Sequence, residues 1–176
     1  MSENDAENVS SPADLAPRLA AVIHTEGFSN RDRATLKRMS SRGPTPLAYH
    51  RFLLRHIPEP WQDPSFDLGW RTLIAGLAKH HDNPHIPNRP FGRALAEAGY
   101  SELRLERLLA ADGYVLATLS LRASTLLATQ RAHGNWRDLA WLLFSPTDIS
   151  REHANRQIAR AFYRTTAAAD DTAAAE

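Results

Sequence analysis

Cysteine is absent from the 176-residue chain, and with it go thiol catalysis, zinc–thiolate sites and disulfide frameworks. A reducing compartment is the expected home. No apolar run approaches the roughly 18 residues that a membrane span needs. The opening MSENDAENVSSPAD is acidic and polar, where a secretory signal would be basic and then apolar. A soluble cytoplasmic protein is expected. A glycine-rich phosphate loop, a GxSxG elbow and a Walker pattern are also missing. No stretch alternates apolar and polar residues in the manner of a strand, and no internal repeat is visible. No cofactor and no small-molecule substrate are indicated.

Lysine is scarce as well: 19 of the 21 basic residues are arginine. That bias fits bidentate phosphate contacts, and a GC-rich genome produces it too. The formal net charge of +1 hides an asymmetry. Glu3, Asp5, Glu7 and Asp14 at one end and Asp170, Asp171 and Glu176 at the other leave residues 15–169 with 13 acids against all 21 basic residues, a formal +8. A body of that charge favours a polyanionic partner.

Between expected disordered tails at residues 1–11 and 167–176, nearly every segment has helical period. Leu15, Leu19, Val22 and Ile23 form a first stripe that ends near Gly27. Asn30 is the expected N-cap of a second helix running through RDRATLKRMS to the Gly43-Pro44 break. Thr45 and Pro46 open a third, with Leu47, Phe52, Leu54 and Ile57 available for burial. Trp70, Leu73, Ile74 and Leu77 mark a fourth. The segment DNPHIPNRP, with three prolines in nine residues, interrupts the chain. The stretch from Asn88 to Gly134 then combines recurring leucines and alanines with arginines along its edge. Gly99 with Ser101 reads as one helix ending and the next being capped, and Asp112-Gly113 as a further split. A helix capped at Asn135 and a last one after Ser145-Pro146 or Ser150 complete the chain. The expected class is all-α, with about eight helices in two lobes: residues 12–82, a Pro-rich linker at 83–90, and residues 91–166.

Two arginine clusters are candidate nucleic-acid contacts. The first is Arg31, Arg33, Lys37, Arg38 and Arg42, opposed only by Asp32. On one continuous helix Arg31, Arg38 and Arg42 would share a face, with Arg33 and Lys37 on an adjacent one. Like charges at that spacing repel, and an anion opposite would relieve them. Asn and Gln readers are missing beyond Asn30, so backbone contact is favoured over base reading. The second cluster is Arg104, Arg107, Arg122 and Arg131, for which Glu102, Glu106 and Asp112 could act as helix-surface ion-pair partners.

An enzyme reading also exists. His80, His81 and Asp82, with His56 upstream and Asp112, Asp138 and Asp148 downstream, offer the residue types of an all-α HD-type metal phosphohydrolase. The NPHIP that follows directly is out of keeping with a pair carried in a helical core. His80, His81 and His85 lack thiolate or carboxylate partners at zinc-site spacing, so no metal site is expected. Trp61, Trp70, Trp136, Trp141 and Phe144 fit a core better than a base-stacking platform. A stand-alone helical nucleic-acid-binding regulator is a third reading.

The order of the segments DRATLKRMSSRGPTPLAYHRFLL, FGRALAEAGYSELRLERLLAAD, LSLRASTLL, NWRDLAWLLF and IARAFYR resembles the small subunit, CasB, of the type I-E CRISPR surveillance complex, Cascade. The likeness spans about residues 30 to 164. It implies a two-lobed, helical, non-enzymatic subunit, present as a pair beside the other Cascade subunits. Such a subunit bridges the ends of the complex along its crRNA-bearing backbone and helps hold the target and displaced strands of the R-loop. The resemblance puts basic positions at Arg33, Lys37, Arg38, Arg104, Arg107 and Arg122, with Arg131 and Arg93 less central. Arg93 in FGRAL could equally make a structural contact between lobes. One departure is AADGYVLATLSLR, which carries fewer charges than the family pattern there and weakens the case for Arg107.

Overall fold

The computed structural model describes residues 11–174, so the expected acidic tail at 1–11, apart from Ser11, lies outside the described residues. Ser11 is buried, and its hydroxyl accepts a bond from the Ala13 N–H to cap a 3-10 turn, Pro12–Leu15. Among the described residues the regular structure is all helical, as expected, with nine α-helices. They are α1 (Ala16–His24), α2 (Asn30–Lys37), α3 (Leu47–His56), α4 (Asp67–Ala78), α5 (Phe91–Glu97), α6 (Glu102–Ala110), α7 (Gly113–Thr129), α8 (Trp136–Phe144) and α9 (Asp148–Ala174).

Helix α4 lies at the centre. Every residue from Gly69 to Ala78 except Arg71 is buried, the pattern of a helix apolar all round and therefore enclosed. Helices α1, α2, α7 and α8 pack on it. Two glycines let them approach. A Cβ on Gly69 would stand 2.3 Å from the Phe144 ring, and one on Gly76 would stand 2.8 Å from Ser124 Oγ and 3.0 Å from the Trp136 ring. Leu19, Ile23 and Tyr49 from the first half of the chain join Phe91, Leu127 and Trp136 from the second in one hydrophobic cluster. The segment expected as an inter-lobe linker, residues 83–90, is irregular, and it borders this shared core. There Ile86 N–H donates to Gly134 O and Gly134 N–H to Pro84 O, both at 3.0 Å.

Several local expectations change. Helix α3 buries only part of the expected set: Phe52 and Ile57 are buried, joined by Ala48 and Tyr49, whereas Leu47 and Leu54 are 75% and 70% exposed. The phase is set by Tyr49, whose hydroxyl donates to Asp67 Oδ1 at 2.7 Å, a partner that only the tertiary fold supplies. Pro46 takes the N-cap position expected of Thr45, and Thr45 Oγ1 instead meets the His50 ring at 3.0 Å. Gly99 ends α5 at φ +76°, with Tyr100 N–H donating to Leu95 O at 2.9 Å, a Schellman closure. Ser101 precedes α6 without a side-chain cap bond. Asn135 caps α8 through the Arg137 N–H. Helix α9 overruns the expected boundary at 166 and continues to Ala174.

Helices α5 and α9 pack closely at Gly92. A Cβ on Gly92 would lie 2.0 Å from Ile158 O, and backbone cannot swing aside as a side chain can. Gly92→Ala should therefore destabilise the fold by about 3 kcal/mol, the upper end for overpacking, read as a lowered midpoint in urea unfolding.

Candidate nucleic-acid interface

Helix α2 is eight residues long, not the thirteen or so expected. Ser29, and not Asn30, caps it by accepting from the Asp32 N–H at 3.3 Å. Beyond Lys37 the chain leaves helical geometry because Met39 and Ser41 are both buried, an every-second-residue alternation that a helix does not give and an extended chain does. Ser41 Oγ meets Thr118 Oγ1 of α7 at 2.9 Å. Arg71 of α4 donates to Ser40 O at 3.2 Å and to Gly43 O at 2.8 Å. Arg38 and Arg42 thus lie outside the helix, and the single face expected for Arg31, Arg38 and Arg42 does not form.

The N-terminal cluster separates into two kinds of residue. Arg33 is occupied: its Nε donates to Ile23 O at 2.9 Å and its guanidinium reaches Thr25 O and Asn30 Oδ1, both at 3.4 Å. It satisfies carbonyls at the end of α1, where a cation also complements the helix dipole. Arg31, Lys37, Arg38 and Arg42 are exposed, and among the described residues none has a carboxylate within 4 Å. Lys79, at the C-cap of α4, adds a cation whose pKa is lowered by burial and by the charge of Lys37.

The packing connects this cluster to the second one. The Arg42 guanidinium lies over the Tyr114 ring of α7, 5.4 Å from its centroid. Arg122 is two turns further along α7. Burial raises the Tyr100 pKa, whereas the charges of Arg104 and Arg122 pull it down, so both arginines are within electrostatic reach of one ring. The 38–44 loop and α7, far apart in sequence, are thus brought together at Arg42 and Tyr114 and at Ser41 and Thr118. Tyr114 and Lys79 escaped the sequence reading; an aromatic on the outer face directly after the Asp112-Gly113 break was the available signal. Arg107 is exposed on α6. Glu102 accepts from Tyr163 OH at 2.6 Å, and neither Glu102, Glu106 nor Asp112 pairs with Arg104 or Arg107 among the described residues. Arg131 occupies the left-handed position after α7 at φ +51°, with Ala132 N–H bonded to Leu127 O at 2.8 Å. Arg93 pairs with Glu97 at 2.7 Å, and Glu97 also takes Arg89.

The histidines are distributed differently. His80 is buried edge-on to Trp136, with ring centroids 5.4 Å apart. Asp82 pairs with His133 at 2.9 Å, and His56 lies against Phe52. Asp138 accepts from the Phe91 N–H at 2.8 Å and Asp148 opens α9. Among the described residues no group of three His or acidic side chains is arranged to hold a metal, so the ligand set of the HD-type reading is not brought together.

A family model for CRISPR-associated protein Cse2 matches residues 32–163, a span that includes α3 to α8, most of α2 and the first part of α9. The chain belongs to the Cse2 family. Cse2, also called CasB, is the small subunit of type I-E Cascade, so the chain is a structural subunit of that complex, assembled with other Cascade subunits. No curated protein and no solved structure gives a significant match. Among the described residues no helix is long and apolar enough to cross a membrane.

Two outcomes are expected. Arg33→Ala should cost about 1–2 kcal/mol of stability through the lost carbonyl bonds, measured by urea unfolding, while changing nucleic-acid affinity little. Burial lowers the His80 pKa to about 3, so the unfolded chain binds more protons as pH falls below the ordinary value of 6.5. Stability is then fully present above that pH and is lost on acidification, at up to about 1.4 kcal/mol per pH unit from this group. His80→Leu should flatten that slope between about pH 6.5 and pH 5, above the carboxylate range.

Proposed function

We propose that within Cascade the chain is a non-enzymatic subunit that grips nucleic-acid backbone without reading its sequence, stabilising the R-loop and the assembly. The observation that supports this reading is the group of exposed cations Lys37, Arg38, Arg42, Arg122 and Arg104, none with a carboxylate within 4 Å among the described residues, with Arg42 packed on the Tyr114 ring of the helix that carries Arg122; Arg31, Arg107 and Arg131 are exposed as well. Phosphate contacts carry affinity but no sequence information. That suits strands whose sequence changes with every guide. Opening the target duplex against a guide is close to energetically balanced, so a few backbone contacts are enough to tip it. The target and displaced strands are the intended partners, with a second copy of the chain beside the first in the complex.

The test is target DNA retention by the reconstituted complex carrying Lys37→Ala with Arg38→Ala. Each lost phosphate contact should lower the slope of log affinity against log salt by about 0.7–0.9, so the double variant should lose about 1.5 from the slope, its deficit against the parent being largest at low salt and narrowing as salt rises, with helicity unchanged. Equal retention by variant and parent across about 50 to 300 mM salt would remove the electrostatic reading.

A further inference from the structure

Three adjoining hollows run along one face of α9. The first, about 450 Å³, lies between α8 and α9 and is lined by Trp141, Ser150, His153, Ala154 and Gln157 together with Asp138. The second shares Asp138 and Gln157 and adds Asn135, Arg160 and Arg164. The third shares Pro90, Ala161 and Arg164 with the second and continues past Arg93 and Thr165. The shared residues make these one furrow. Its α9 wall, residues 150, 153, 154, 157, 160, 161, 164 and 165, follows the three-and-four spacing of a single helix face.

The chemistry changes along the furrow. At one end stands Trp141, 38% exposed, whereas Trp70 and Trp136 are fully enclosed. One to two turns further along, Arg160 and Arg164 stand at i,i+4, both exposed. Among the described residues neither has a carboxylate within 4 Å, and like charges at that spacing repel unless an anion lies between them. The two acids in the furrow are engaged: Asp138 accepts from the Phe91 N–H, and Glu97 is shared between Arg89 and Arg93. Gln157, His153 and Asn135 supply hydrogen-bonding groups along the floor and walls.

We infer that this furrow binds a single nucleic-acid strand, with a base against the Trp141 ring and successive phosphates on Arg160 and Arg164. The pairing of an aromatic platform with a basic groove is what sequence-tolerant single-strand binding requires. A hollow of about 450 Å³ admits one flat base and has no room for a duplex. An acidic peptide would use the arginines and leave the tryptophan unexplained. The furrow is separate from the group at Arg42 and Tyr114, and the inference deepens the proposed function, from which it takes only that the chain meets nucleic acid.

The test uses the full chain at low salt, titrated with an oligothymidylate of about 12 nucleotides, an abasic phosphodiester strand of equal length, and polyglutamate. Oligothymidylate should quench tryptophan emission and the abasic strand should not. Trp141→Ala should weaken oligothymidylate binding about tenfold with an unchanged salt slope, and Trp141→Phe should restore most of it. Arg160→Ala with Arg164→Ala should instead lower the slope by about 1.4 and keep the quench at saturation. Far-UV helicity and thermal unfolding check that each variant folds. Undiminished oligothymidylate binding by Trp141→Ala, or polyglutamate displacing the strand at equal concentration, overturns the inference. If the Lys37→Ala, Arg38→Ala pair loses binding and the α9 variants do not, the furrow fails while the proposed function stands. The reverse pattern keeps the furrow and discards the other group.

Discussion

The enclosure of α4 is the constraint on which the rest depends. A helix buried on all sides needs neighbours close on every face, and Gly69 and Gly76 provide the clearance for Phe144 and for Trp136 with Ser124. Because α1 and α2 come before it in the chain and α7 and α8 after it, the burial of α4 joins both halves into one hydrophobic cluster. The one polar side chain in its buried stretch to reach outward, Arg71, holds down the carbonyls of Ser40 and Gly43. Arg71 therefore couples the core to the basic surface, together with buried Met39 and the Ser41–Thr118 bond. The guanidinium that spans from core to loop fixes where Arg38 and Arg42 stand.

Arginine does two distinct jobs in this protein, and composition cannot tell them apart. Arg33, Arg71, Arg89, Arg93 and Arg151 bind carbonyls or carboxylates of the chain itself. Planar, multiply donating groups suit that role, since one guanidinium satisfies several acceptors. Among the described residues Arg31, Arg38, Arg104, Arg107 and Arg122 make no such bond. With Arg42, Arg131, Arg160 and Arg164, which are exposed and without a carboxylate among the described residues, this second set stays unengaged at the surface. The formal +8 of the body thus overstates the charge left unengaged at the surface, and the packing of the 38–44 loop against α7 sets Arg42 on the helix that carries Arg122.

Much of the architecture was legible beforehand. The class, the position of α4, the glycine closure at Gly99, the break at Asp112-Gly113 and the cap at Asn135 all follow from local chemistry, because capping and left-handed turns depend on residues within a few positions of one another. The family was legible too, in the order of its segments. The phase of α3 was not: Leu47 and Leu54 look like core residues by hydrophobicity, yet Tyr49 points inward because Asp67 waits for its hydroxyl. The length of α2 was likewise hidden, since nothing local in RMSSRG marks Met39 and Ser41 as buried.

The sequence by itself determined that this is an all-α, cysteine-free chain with a basic body and the segment order of the Cse2 family. These are properties of composition, period and short-range turn chemistry. Which arginines are spent on the fold and which are left free was decided by tertiary structure alone. An arginine's fate depends on whether a carbonyl or carboxylate from elsewhere in the chain comes within about 3 Å of it. Arg33 finds one at Ile23 O of α1, and Arg38, five residues on, finds none among the described residues. That difference sets which charges remain unengaged at the surface.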